Sequence, residues 1–207
     1  MHIKFFGAAG EVTGSRHLIE GEIKDRSFKF MIDYGMFQGG RDPVEKNLED
    51  LPFNPAELDF VILTHAHIDH SGLLPRLTGQ GFKGTIYCTH ATEALLKILL
   101  LDSAHIQEND FERAARKQKI GKWRGELPTV LYNVKQATEC LSQIKSYEYG
   151  QVFEPIDGIE AHFRNAGHIL GSAIAVIDVE EETQPPASSD SSNNQFKIST
   201  DEPGGKK

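Results

Sequence analysis

The chain has 207 residues, 39% of them hydrophobic, a formal charge of -8 and a pI near 5.6. That is enough apolar content for one domain with a true core, and the acidic balance excludes a general nucleic-acid coat, which binds mainly through Lys and Arg. No stretch approaches the roughly 20 apolar residues of a membrane span, and the start, Met1-His2-Ile3-Lys4-Phe5-Phe6-Gly7, lacks the apolar segment of a signal peptide, so a non-membrane, cytoplasmic protein is expected. Cys88 and Cys140 belong to no CxxC pair and read as buried apolar fillers.

Ile3 to Phe6 reads as a first strand. The glycine-punctuated stretch Gly7-Ala8-Ala9-Gly10-Glu11-Val12-Thr13-Gly14-Ser15 is then either a hairpin connection or a loop whose backbone can approach a ligand closely. His17 to Ile19 and Phe28 to Ile32 suggest paired strands joined through Gly21 to Ser27. Asp33 follows at the strand end, where an acid can form a turn or hydrogen-bond a ligand histidine from behind. Residues 41–58 are polar and broken by proline, as in a loop with a short helix.

Phe60 to Leu63 is continuously apolar, the pattern of a strand covered on both faces, and it runs directly into Thr64-His65-Ala66-His67-Ile68-Asp69-His70-Ser71-Gly72. His65 and His67 are two apart, so in an extended segment both imidazoles project to one side and can share a metal. Asp69 and His70 come where the chain turns toward a helix and can face a second metal nearby. A lone His at a strand end is ordinarily a satisfied core or loop residue, but packing has no use for three imidazoles and a carboxylate in six positions, whereas these groups are the usual ligands of catalytic zinc.

A helix is expected from Ser71 to Leu77, then a strand over Thr85 to Cys88, with Thr89 capping a long helix whose apolar face would comprise Ala91, Ala94, Leu95, Ile98, Leu99 and Leu101. Arg113, Arg116, Lys117, Lys119, Lys122 and Arg124 crowd around Trp123 near its end, as a solvated face or a nucleic-acid track. Asn133 to Lys145 reads as a second helix opened by an Asn133 and Gln136 capping box. Val152 to Glu154, Ile159 to Phe163 and Ser172 to Val179 read as strands; Asn165-Ala166-Gly167-His168 lies between the last two, and its single His is weak evidence of a ligand taken alone. Residues 180–195 are low-complexity and polar, a loop.

The run THAHIDHSGLLPRL resembles the HxHxDH signature of the metallo-β-lactamase superfamily. Its SGLLP ending, with FGAAGEVTGSRHLIE, MIDYGMFQGG and NAGHILGSA, is similar to the RNA-processing β-CASP nuclease branch. The resemblance implies an α/β fold, the αββα sandwich, over residues 1–207, with two Zn²⁺ per complete site. His65, His67 and His168 would hold one, and Asp69 and His70, the residues closest to catalysis, the other. Asp201, in Ile198-Ser199-Thr200-Asp201, partly matches the family's bridging-Asp segment, with Thr200 in place of a glycine. Such a site hydrolyses a phosphodiester with metal-activated water and forms no covalent intermediate. The implied substrate is RNA.

The resemblance also implies what is not found. No His follows His168, and neither an inserted β-CASP domain nor a closing segment follows Asp201. The sandwich is therefore expected to be incomplete at its C-terminus, with a sheet edge or apolar face open to a protein partner or to self-association, and the chain alone to be at most weakly active. A small-molecule thioester or lactam hydrolase, which shares the metal motif, and an inactive metal-binding fragment are the alternative readings.

Overall fold

A computed structural model describes residues 1–39 and 43–180, so Asp201 and nearly all of the expected 180–195 loop lie outside the described residues. Strands β1 (His2–Gly7), β2 (Arg16–Ile23) and β3 (Arg26–Tyr34) form an antiparallel meander. The hairpin between β2 and β3 is tighter than Gly21 to Ser27: Lys24 and Asp25 alone make the turn, at φ of 47° and 59°, the left-handed pair whose twist matches that of the strands. A short helix α1 (Pro43–Leu48) and a 3₁₀ turn at Pro55–Glu57 then lead into β4 (Phe60–Ile62), which runs parallel to β3.

Helices α2 (Ile68–Ser71) and α3 (Leu74–Gly79) replace the single helix expected over Ser71 to Leu77. Pro75 in the first turn of α3 lacks the N–H that would continue a helix through it, and a side chain on Gly72 would collide with the Ile68 carbonyl. Next come β5 (Thr85–Thr89), α4 (His90–Lys119), α5 (Val134–Leu141) and β6 (Ile144–Tyr147). The Asn133 and Gln136 capping box is present, but the helix ends at Leu141 because Ile144–Tyr147 pairs with β5 instead. The first sheet has the order β1-β2-β3-β4-β5-β6, and β7 (Phe153–Ile156), β8 (Ile159–Asn165) and β9 (Ala173–Val179) form a separate antiparallel sheet.

Two apolar layers follow from strict alternation along β4. Val61 and Leu63 join Met31, Ile86, Leu74, Leu77, Leu96 and Leu100 between the first sheet and its helices, while Phe60 and Ile62 join Phe30, Tyr87, Phe153 and Phe163 between the two sheets. The inter-sheet layer is an aromatic ladder: Phe30 stacks on Phe60 at 4.4 Å between ring centroids, Tyr87 on Phe153 at 5.0 Å and Tyr147 on Phe153 at 4.2 Å. Among the described residues no helix covers the far face of the second sheet, where Glu160, Arg164, Ile174 and Asp178 are exposed, and β9 has no second neighbour. Helix, sheet and sheet are thus the layers described. None of the described helices is long and apolar enough to cross a membrane. Cys88 and Cys140 are buried fillers, and burial pushes both thiols up, Cys140 to about 12.

The buried face of α4 differs from the one expected. Leu96, Leu100 and Ala104 are fully buried, whereas Ile98 is 66% exposed. Leu95, Leu99 and Leu101 are only partly covered; a helix so rich in apolar side chains offers several candidate stripes, and the packing against α5 and the sheet selects one. Leu96→Ala should therefore cost about 2–5 kcal/mol in chemical denaturation, and Ile98→Ala no more than about 0.5 kcal/mol. Equal costs would mean that the helix is rotated about its axis.

Candidate metal centre

The chain leaves β4 in an extended segment that carries His65 and His67 to the end of the parallel strands, where α2 begins. A second loop, between β8 and β9, brings in His168. Ligand nitrogens of His65, His67 and His168 all lie within 4.8 Å of one another; His67 Nδ1 is 3.1 Å from His65 Nε2 and 3.2 Å from His168 Nε2. The loop bearing His168 is latched from three sides. The Ser172 hydroxyl accepts from the N–H groups of His168 and Ile169, the Ala173 N–H donates to the Thr64 carbonyl, and the hydroxyls of Thr89 and Thr92 at the start of α4 donate to the Gly171 carbonyl. A Cβ on Gly171 would clash with Thr92, so the loop can sit this close only with glycine there.

Asp69 and His70 stand beside this trio. His70 Nε2 is 3.7 Å from Asp69 Oδ2, while its Nδ1 lies 2.7 Å from Asp33 Oδ2, and the His65 and His70 rings are 4.1 Å apart. Of the two roles open to Asp33 from sequence, the structure places it behind His70. Asp33 is 2% exposed and also accepts from the Thr64 N–H at 2.8 Å and from the Thr64 hydroxyl. It reaches this position through a β-bulge: Tyr34 pairs with Arg16 and Ile32 with His17, which leaves Asp33 unpaired at φ 59° and its side chain free of the strand's alternation. Gly35 then passes beneath Asp69, where a Cβ would overlap the Asp69 carbonyl.

Burial holds His65 neutral, its pKa lowered to about 4, with the nearby His70 adding to the effect. At His70 burial also opposes the charged form, but the hydrogen bond and charge of Asp33, together with Asp69, outweigh it and raise the pKa. Because Asp33 accepts the hydrogen bond of Nδ1–H, Nε2 is the His70 nitrogen that faces Asp69 and is open to a metal. The donor set fits a divalent metal. Three imidazole nitrogens that converge on one point can share a cation, and neutral imidazole with carboxylate is the ligand chemistry of catalytic zinc. His65 is buried while His67 and His168 open to solvent, so the site has one wet side. Thr64, Ser15 and His17 were not picked out from sequence as site residues; the closeness of Thr64 and Ser15 to the metal run and to the glycine-rich loop was the available signal.

A family model described as the Metallo-beta-lactamase superfamily matches residues 18–140. The chain belongs to that superfamily. Among relatives, it is similar to Ribonuclease TTHA0252 of Thermus thermophilus, 34% identical over 183 residues, covering 88% of this chain and 36% of that protein. It is also similar to Transcription termination factor FttA of Methanocaldococcus jannaschii, at 32% identity over 181 residues with 87% and 25% covered, and to Endoribonuclease YSH1 of Kluyveromyces lactis, at 28% over 187 residues with 86% and 22% covered. The chain thus spans 36% or less of the length of these three relatives. Superfamily membership and the likeness to its RNA-cleaving members both accord with the motifs.

His65→Ala and His67→Ala should each abolish most of the tightly bound metal found by elemental analysis after dialysis, with the helical circular dichroism signal retained. A metal-free parent protein of normal fold would remove the basis for a metal centre here.

Proposed function

We propose that this chain is the metal-binding part of a hydrolase of RNA phosphodiester bonds, with two zinc ions per complete site. The observation that carries the reading is the His65, His67 and His168 trio set beside the Asp69 and His70 pair, whose members face each other over 3.7 Å. The trio would hold one ion and Asp69 with His70 the other. Asp201 as a bridge between them rests on the sequence pattern alone. Relatives named as a ribonuclease and an endoribonuclease support RNA as the substrate class. The wet side of the site supports a polymer, which needs an open approach.

A bound divalent metal pair supplies Lewis-acid polarisation of a phosphoryl oxygen and a water nucleophile at neutral pH. The chain's own residues provide the ligand geometry. Thr64 and Asp33 orient His65 and His70, whose closest side-chain nitrogens contact them at 2.9 and 2.7 Å, and the Thr89 and Thr92 latch sets the depth of His168. A cytoplasmic location accords with an RNA substrate. Purified protein assayed side by side on a labelled RNA and on a generic thioester tests the reading: RNA cleavage that requires metal supports it, and thioester turnover without RNA cleavage favours the small-molecule alternative.

Arg113, Arg116, Lys117, Lys119, Lys122 and Arg124 are all exposed, and Arg116 pairs with Glu112 at 2.9 Å. Arg113 to Lys119 lie in the last turns of a helix of 30 residues that starts beside the His168 loop, with Lys122 and Arg124 just past its end, so roughly 35–45 Å of helix lies between the helical ones and that start. In this reading they contact the phosphates of a long RNA away from the cleavage point. Neutralising Arg113, Lys117 and Lys119 should lower the slope of log affinity against log salt by about two to three units on a long RNA and leave a short RNA unaffected. An unchanged slope on both would make the run a solvated face.

A further inference from the structure

We infer that Ser15, with His17 behind it, is a positioning pair for the second-metal half of the site, Asp69 and His70. The inference rests on the reading of those two residues as ligands of a second metal. Ser15 is 4% exposed and closes the glycine-rich loop between β1 and β2. It holds both halves of the Asp69 and His70 pair at once. Its backbone N–H donates to the Asp69 carbonyl at 2.8 Å, and its hydroxyl lies 3.3 Å from Asp33 Oδ2, the same oxygen that receives Nδ1 of His70 at 2.7 Å. Its own carbonyl accepts from the Gly35 N–H at 2.9 Å, which fixes the loop to the turn that follows the Asp33 bulge.

Proton accounting then assigns the role of His17. A carboxylate only accepts, so the single hydroxyl proton of Ser15 points at Asp33. The Ser15 oxygen must therefore accept from its other neighbour, His17 Nε2, at 3.1 Å. That requires the Nε2-protonated tautomer of His17, and it leaves Nδ1 as a bare acceptor, the buried ring atom of His17 that has no hydrogen-bond partner. The ring is packed edge-on against Phe5, with centroids 5.1 Å apart, so it is held where Nε2 meets the serine. His17 thus donates to Ser15, and Ser15 and His70 both donate to the same oxygen of Asp33. The two donors converge on one carboxylate, which keeps the His70 proton on Nδ1 and leaves Nε2 available to a metal. Without the Ser15 hydroxyl Asp33 keeps its Thr64 donors but is less firmly aimed, and the backbone hold on Asp69 is untouched. The loss should therefore fall on the metal held through His70 and spare the one held by His65, His67 and His168.

The test is a metal titration of the stripped full chain with Zn²⁺, and with Co²⁺ followed by its visible spectrum, for the parent and for Ser15→Ala, His17→Phe and His17→Gln. The parent should take up two equivalents. Ser15→Ala and His17→Phe should retain the first and bind the second about 10- to 100-fold more weakly, as partners of metal ligands generally do. His17→Gln, whose amide can donate to Ser15 as Nε2 does, should restore the second equivalent, which a purely structural role for the ring would not. Two equivalents with parental affinity in both Ser15→Ala and His17→Phe overturn the inference alone. A parent that takes up a single equivalent overturns the two-metal reading and the inference with it.

Discussion

The buried carboxylate of Asp33 is the constraint on which the site depends. A carboxylate taken out of water must be met by donors, and here they come from separate segments: the N–H and hydroxyl of Thr64, the Nδ1 of His70 and the hydroxyl of Ser15. Hydrogen bonds to a charged group contribute about 1.5–3 kcal/mol each, whereas the left-handed backbone at Asp33 costs on the order of 1–3 kcal/mol. Two such bonds already offset the strain. The bulge is therefore stable, and it turns the end of β3 into a fixed bracket for the loop that follows β4.

That bracket works because β4 cannot slide. Its alternate residues are buried in two different layers, Val61 and Leu63 against the helices, Phe60 and Ile62 in the aromatic ladder. A shift by one residue would exchange the layers. The ladder also ties the second sheet to the first through Phe153 and Phe163, which sets where β8 ends and the His168 loop begins. The histidine from position 168 meets those at 65 and 67 because the inter-sheet packing and the Thr89, Thr92 and Gly171 latch agree on one depth.

The reading of local structure from sequence held where one residue type has one physical use. Thr89 and Asn133 cap their helices, and the apolar run before the His-rich segment is a strand buried on both faces. It went astray where several solutions have similar local energy. The 71–77 helix broke in two at Gly72 and Pro75, and residues 144–147 left the expected helix to extend the sheet. The buried face of α4 is not legible locally because Leu95, Leu96, Ile98, Leu99, Leu100 and Leu101 offer overlapping apolar stripes, among which only neighbouring elements can choose.

From sequence alone came the metal-ligating types and their spacing at His65, His67, Asp69 and His70, since so many imidazoles and a carboxylate in a few positions have no packing use. The strand that presents them came from the same source, because its apolar pattern is local. Tertiary structure alone decided that His168 joins His65 and His67, and that Asp33 stands behind His70 rather than merely forming a turn. It also drew Ser15 and His17 into the same hydrogen-bond network. These are contacts between segments distant in sequence, and they depend on a bulge, a latch and an inter-sheet core whose geometry exists only once all the partners have packed.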